Sequence, residues 1–456
     1  MSEPQQNKMG YKPMLPLVFG MSLPAMFSML IQALYNIVDS IFVSNYSEDA
    51  FTAISLAMPL QMIAISFAVG TAVGVNSLIA RRLGAKNFRE ADSAATTGLF
   101  LAVINWLIFL VVGLTLSGQF IAWFHDDPSV IACGAQYLSI VLCVSFGMMI
   151  SVMGEKILQA TGNMIFPMLT QLLGAVVNII FDPLLIFGVG FFPELGIVGA
   201  AVATVFGQLC SMTFILIVLF VKKHDVTVRF KGFRPSGQVI RNIYAVGFPA
   251  IIMQSIGSVM VSGVNAIIST AQVSRVVADA YIRSFGAYFK LQSFIFMPVF
   301  GLNQGVMPII GYNYGAGNKK RLYSAFRIGI IVAVIIMAAG TLLFQLAPGW
   351  LLSFFKPDAH MLQVGVPTFR IISLSFMLAA LGIMFSALFQ AVGKGLYSMI
   401  MSVCRQLVVL LPVAYLLAQG DLIMMWYAFP IAELACLGIA VAFFVSLRNK
   451  QLSKLK

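Results

Sequence analysis

Charge is scarce in this chain. Of its 456 residues 16 are Asp or Glu and 28 are Lys or Arg, so 10% are charged while 60% are hydrophobic. Soluble domains carry about 25% charged residues, and so little polar surface cannot coat a soluble particle. Histidine is scarcer still: His125, His224 and His360 stand far apart in predicted loops, an arrangement that offers no metal centre. The five cysteines (Cys133, Cys143, Cys210, Cys404, Cys436) fall inside apolar runs without metal-ligand spacing and read as small core residues. Clustered histidines, paired acids at a membrane face and nucleophile motifs are all missing, so a membrane-embedded enzyme is not expected. A cleaved leader is not expected either, because the short polar start with Lys8 and Lys12 runs straight into a long apolar stretch. Nor do the apolar stretches show the roughly ten-residue alternation of an outer-membrane barrel.

What the chain has instead is long apolar runs. Twelve runs of about 20 or more residues are predicted to be helices that span a bilayer. Their expected limits are 13–43, 51–79, 92–117, 130–155, 164–189, 196–221, 240–269, 277–310, 322–346, 362–389, 396–418 and 422–447. The fold class is all-α integral membrane, with the lipid bilayer as the first partner. Lys and Arg concentrate in alternate connections: Arg81, Arg82, Lys86 and Arg89; Lys156; Lys222 to Arg241; Lys319 to Arg321; and Lys394. The connections between them hold Glu48, Asp49, Asp126, Asp127, Glu194, Asp358 and Asp421, with only Arg275 and Lys356 positive. The positive-inside rule then places both termini in the cytoplasm of a multi-pass protein of the inner (cytoplasmic) membrane. Topology accounts for the net charge of +12, and no nucleic-acid partner is expected.

The chain repeats itself. Gly70, Gly74 and Gly84-Ala85-Lys86-Asn87 recur as Gly301, Gly305 and Gly315-Ala316-Gly317-Asn318, 231 positions on. Gln159-Ala160-Thr161-Gly162 recurs as Gln390-Ala391-Val392-Gly393 at the same offset, and Leu23-Pro24-Ala25 resembles Phe248-Pro249-Ala250 at an offset of 225. The expected organisation is an N-terminal lobe of six helices (1–221), a basic linker (222–241) and a C-terminal lobe of six helices (242–456). An even number of helices per half makes the halves parallel, related by a pseudo-two-fold axis along the membrane normal, with substrate sites near the midplane between them. The Gly70-x-x-x-Gly74 and Gly301-x-x-x-Gly305 pairs are expected to let helices approach closely.

Polar side chains form stripes on these helices. Ser28, Gln32, Tyr35, Asn36 and Asp39 share one face of the first span, and Gln171, Asn178 and Asp182 one face of the fifth. A charge at membrane depth costs roughly 2.5–3.5 kcal/mol on insertion scales, so its default reading is functional. Asp39 and Asp182 could take up a proton on one side and release it on the other. With Gln32, Asn178 and Thr204 they could instead hold a hard cation such as Na⁺. A third reading makes each a helix-end group. At the repeat offsets Asp39 falls on Val264 and Asp182 on Val413, so the acids are not duplicated and coupling belongs to the N-terminal half. Thr204, Gln208 and Ser211, then Gln254, Ser258, Ser262 and Asn265, with Tyr281 and Lys290, are candidates for cavity lining. Asp279 and Arg283 can pair at i, i+4, while Glu155 and Lys156 are placed at the cytoplasmic edge.

The pattern resembles the multidrug and toxic compound extrusion (MATE) family. The resemblance rests on Asn36-Ile37-Val38-Asp39, Gly154-Glu155-Lys156, Gln159-Ala160-Thr161-Gly162-Asn163, Asn178-Ile179-Ile180-Phe181-Asp182-Pro183 and Met297-Pro298-Val299-Phe300-Gly301-Leu302-Asn303-Gln304-Gly305. It implies an antiporter that exports amphipathic, often cationic compounds in exchange for H⁺ or Na⁺. It also implies a coupling network at Gln32, Tyr35, Asp39, Tyr137, Asn178, Asp182 and a threonine near Thr204, and a first helix that bends at Pro24. No cofactor beyond the coupling ion is expected, and the protein is expected to be a monomer. A flippase for lipid-linked precursors or polysaccharides of the related superfamily is the alternative; it would favour a more basic cavity, for which Lys290, Arg283 and Arg405 are the candidates.

Overall fold

The computed structural model describes residues 7–190, 192–271 and 273–455, with every side chain among them except those at 36, 37, 39–41, 43–45 and 48–51. Among the described residues ten helices are long and apolar enough to cross a membrane, and counting each of two bent pairs as one span gives twelve. They are α1 (Met14–Tyr46), α2 (Glu48–Gly84), α3 (Phe88–Thr115), α4 (Pro128–Cys143 continued by Phe146–Ala160), α5 (Ile165–Ile186) and α6 (Ile197–Val221). After the linker come α7 (Gly237–Thr270), α8 (Arg275–Gly315), α9 (Lys319–Leu346), α10 (Ala359–Ser373 continued by Phe376–Ala391), α11 (Gly395–Ala418) and α12 (Ala428–Lys450). The chain is an all-helical, multi-pass membrane protein.

The helices follow the expected apolar runs but overrun them where their ends are polar. α2 and α8 continue to Gly84 and Gly315, and each turns out through a left-handed residue, Lys86 (φ 57°) or Gly317 (φ 72°). Asn87 and Asn318 then cap α3 and α9, accepting from the Glu90 N–H at 3.2 Å and the Arg321 N–H at 3.1 Å. The repeated Gly-Ala-x-Asn motif is thus a helix stop and a helix start in four residues. At the opposite end Asp127 and Asp358, again 231 apart, cap α4 and α10. The Ser129 N–H holds the Asp127 carboxyl below its usual range; Arg283, followed by the Met361 N–H, does so for Asp358.

The bends in α4 (43°) and α10 (45°) fall at Val144–Ser145 and Leu374–Ser375, with no Pro or Gly in either break. Each bend has a side chain at the freed carbonyl: the Trp106 indole donates to Cys143 O at 2.8 Å, and the Thr341 hydroxyl to Ser373 O at 3.2 Å. A π-helical segment, Cys404–Leu410, interrupts α11.

The halves meet mainly along α1 with α8 and α2 with α7, and the glycine pairs make this contact possible. A Cβ at Gly70 would lie 2.6 Å from Ile251 N, and one at Gly74 3.0 Å from Gly247 N, both on α7. In the other half a Cβ at Gly301 would lie 2.5 Å from Met26 Cα, and one at Gly305 2.7 Å from Ser22 Cα, on α1. No side chain fits at these distances, so glycine is required. The side-chain hydrogen bonds between the halves also gather towards the end that carries the basic loops: Ser77 to Gln390 O, Lys156 and Gln159 to Gln304, Asn313 to Met9 O and Arg321 to Lys12 O.

Candidate functional site

The site starts from two glycines. A Cβ at Gly207 would stand 2.7 Å from Gly174 O, so α5 and α6 approach almost backbone to backbone. This brings α5 polar side chains onto α6. The Asn178 amide donates to Thr204 Oγ1 at 3.4 Å and to Asp182 Oδ1 at 3.3 Å. Asp182 is fully buried, Asn178 nearly so and Thr204 half-buried. Asp182 lies a turn inside the end of α5, just before Pro183 within that helix, and has a further interaction partner.

α1 and α4 supply the other expected members. Tyr137 on α4 is buried, Tyr35 on α1 is half-buried, and each has an interaction partner. Gln32 is exposed. Ser28 is buried, its hydroxyl turned back to Pro24 O at 3.0 Å, and α1 runs on through Pro24. The side chains of Asn36 and Asp39 lie outside the described residues. The network is therefore described from its α5–α6 side.

The polar face of α5 continues from Asn178 to Gln171, which serves a second cluster. Gln171 donates to Glu155 Oε2 at 2.7 Å, and Ser151 lies 3.5 Å from Glu155 Oε1. The Lys156 ammonium donates to Gln159 Oε1 and to Gln304 Oε1 of the other half, both at 2.8 Å. Both charged residues are buried, near the end of α4 that leads to the basic loops. The chain folds this way because α4 continues past them to Ala160, and Asn76 secures the turn by donating to Lys156 O at 2.9 Å. Sequence reasoning missed this cluster; the signal was the pair of glutamines, Gln159 and Gln304, available to solvate a cation.

The candidate cavity residues divide. Gln254, Ser258 and Lys290 are exposed, and Gln208 and Asn265 are half-buried. Tyr281 is a correction: it is 5% exposed and stacks on Trp426 within the aromatic core of the second half, so it lines no open wall. Arg283 is a second correction, because it pairs with Asp358 across a loop and not with Asp279 on its own helix. Arg405 pairs with Glu433 at 3.0 Å. No group of His, Cys, Asp and Glu suited to a metal occurs among the described residues.

The MatE family model matches residues 24–184 and 242–416. The multidrug export protein MepA of Staphylococcus haemolyticus is 27% identical over 94% of this chain and 93% of its own. A multidrug resistance MATE family transporter solved in an outward-facing conformation is 26% identical and superposes with a TM-score of 0.91 over the whole of both chains. A superfamily member from Pyrococcus furiosus superposes equally well at 25% identity, and there a reversed polarity of the binding pocket suggests a different function.

Proposed function

This chain belongs to the MatE family, and from that premise we propose that it is a secondary active multidrug exporter, moving amphipathic or cationic compounds outward in exchange for H⁺ or Na⁺. The observation that carries the reading is the buried Asp182, held by an asparagine that also reaches a hydroxyl on the next helix. A buried carboxylate is costly unless it is paired or takes a proton or cation. Asp39, Gln32, Tyr35, Asn36 and Tyr137 would complete the coupling network. Gln208, Gln254, Ser258, Asn265 and Lys290 would face the cargo. The basic end would be cytoplasmic, and the inner membrane is the expected location.

The contacts between the halves support a two-lobe exchange. They concentrate at the basic end, which fits a state closed towards the cytoplasm and open outward. Occupancy of the Asp182 network would then bias the balance between the two states. A good superposition does not decide function; the relatives' names and the polarity of the site support export. Of the three cations considered for a flippase cavity, Arg283 and Arg405 are neutralised by acids and only Lys290 is left. That argues against an anionic lipid-linked cargo.

The test is uptake of a fluorescent cationic drug into inverted membrane vesicles, with a pH gradient or a Na⁺ gradient imposed in turn. One gradient should drive uptake and Asp182→Asn should abolish it. Equal uptake by the variant would refute the assignment.

A further inference from the structure

The first described residues form a short structure that neither the spans nor the acid network uses. A four-residue helix, Lys8–Tyr11, precedes α1 and is capped by Asn7, whose Oδ1 accepts from the Met9 N–H at 2.9 Å. The Asn7 amide points the other way, donating to Thr161 O at the end of α4 (2.9 Å) and to Asp225 in the linker (2.5 Å). The next residues are held by the second half. Asn313 of α8 donates to Met9 O at 3.2 Å, and one Arg321 nitrogen of α9 donates to Met9 O at 3.1 Å and Lys12 O at 2.7 Å. Packing follows the same division. Met9 is fully buried. A Cβ at Gly162 would lie 3.1 Å from Lys8 Cε, while one at Gly10 would lie 3.2 Å from the Tyr312 ring. Six residues thus touch the first half, the linker and the second half, all at the basic end.

We propose that residues 7–12 are an inter-lobe strap that fastens the basic end shut and so sets the resting balance towards the outward-open state. The proposal rests on the two-lobe exchange put forward above. The segment is covalently part of the first half, through Pro13 and α1. Its bonds to Asn313 and Arg321 must therefore break whenever the halves part at this end. The acceptors on the strap are backbone carbonyls, so its grip depends on the two donors in the second half and on Asn7 in the first. Charge-assisted hydrogen bonds such as those of Arg321 are the stronger kind.

Pro13 keeps the strap joined to the first half, so Asn7 can act on the closure only by seating the strap for its second-half donors, and this separates it from residues that merely stabilise their surroundings. The experiment uses the full-length protein in lipid nanodiscs, with the native cysteines replaced and paired spin labels attached. One pair, at Arg89 and Lys320, reports the basic end; another, at Ser129 and His360, reports the opposite end. All four positions are exposed. Asn7→Ala loosens the seat of the strap on Thr161 and the linker; Arg321→Gln or, as an independent variant, Asn313→Ala removes bonds to it from the second half. Each should raise the ratio of basic-end-open to basic-end-closed molecules by roughly fivefold to tenfold. Combining N7A with R321Q should add little to the larger single effect. Exchange in the unaltered protein with no change in any variant would overturn the strap and leave the two-lobe reading standing. So would effects of N7A and R321Q that simply multiply. An unaltered protein that never exchanges, under either gradient, would overturn the two-lobe reading and the strap with it.

Discussion

Gly84 and Gly315 close the basic end reciprocally: Gly84 of α2 lies against the Tyr312 carbonyl of α8, and Gly315 of α8 against the Arg81 carbonyl of α2. The two contacts are the same contact seen from either half, since 84 and 315, like 81 and 312, are 231 apart. A methyl group at either position would meet backbone, which cannot yield as a flexible side chain can. Gly84→Ala and Gly315→Ala should each cost the closed state about 1–3 kcal/mol, the usual range for overpacking. Label distances between Arg89 and Lys320 would lengthen, and the two variants should behave alike. A strong effect from one and none from the other would refute the symmetry of the closure.

Asp182→Asn keeps the shape of the side chain and one acceptor oxygen while removing its charge. The Asn178 amide can still donate to it, so helix packing and membrane insertion should be retained. Gradient-driven export should fall by at least tenfold, the effect of about 1.4 kcal/mol or more. Thr204→Ala removes only one long hydrogen bond and should cost at most about 1.5 kcal/mol. Drug resistance in a hypersensitive host, with protein level checked by immunoblot, measures both.

Much of the architecture could be read from apolar length and register. The repeat motifs proved to be caps, turns and close helix contacts, because glycine fits the close backbone approaches and asparagine is a favoured helix cap. The bends in α4 and α10 could not be read, because they depend on Trp106 and Thr341 reaching carbonyls from other helices. Nor could the burial of Glu155 and Lys156. Adjacent charges after a long apolar run look like a helix end, and only the other half's Gln304 reveals that α4 continues into an interface. The Asn178–Asp182–Thr204 cluster was partly legible through the i, i+4 spacing on α5, while its link to α6 rests on Gly174 and Gly207, whose contact is long-range.

Lys156 and Gln304 offer a second test of the closed end. The ammonium is buried, and its two amide acceptors come from opposite halves. Lys156→Met keeps the aliphatic stem and deletes the donor. Loss of hydrogen bonds from a charged group should weaken the closed state by about 1.5–3 kcal/mol. Gln304→Leu, which removes the acceptor across the interface, should move the basic-end distances in the same direction. Closed-state distances unchanged in both variants would show that the contact is incidental.

Arg405 and Glu433 make the last test, one of stability. The pair joins the π-helical segment of α11 to α12, with 24% of the Arg405 side chain and 12% of that of Glu433 exposed. The second Glu433 oxygen has no hydrogen-bond partner among the described residues. Removing one partner strands the other in a poorly solvated place, which costs about 3–5 kcal/mol for fully buried pairs. Partial exposure puts Arg405→Met and Glu433→Leu nearer the lower figure. The double variant should recover most of that loss, since two apolar side chains of similar volume leave no stranded charge. Thermal unfolding in detergent, with all three variants measured together, gives the coupling directly. Losses that simply add in the double variant would mean that the two charges do not depend on each other. A double variant that is stable yet inactive in vesicle uptake would assign the pair to transport and not to the fold.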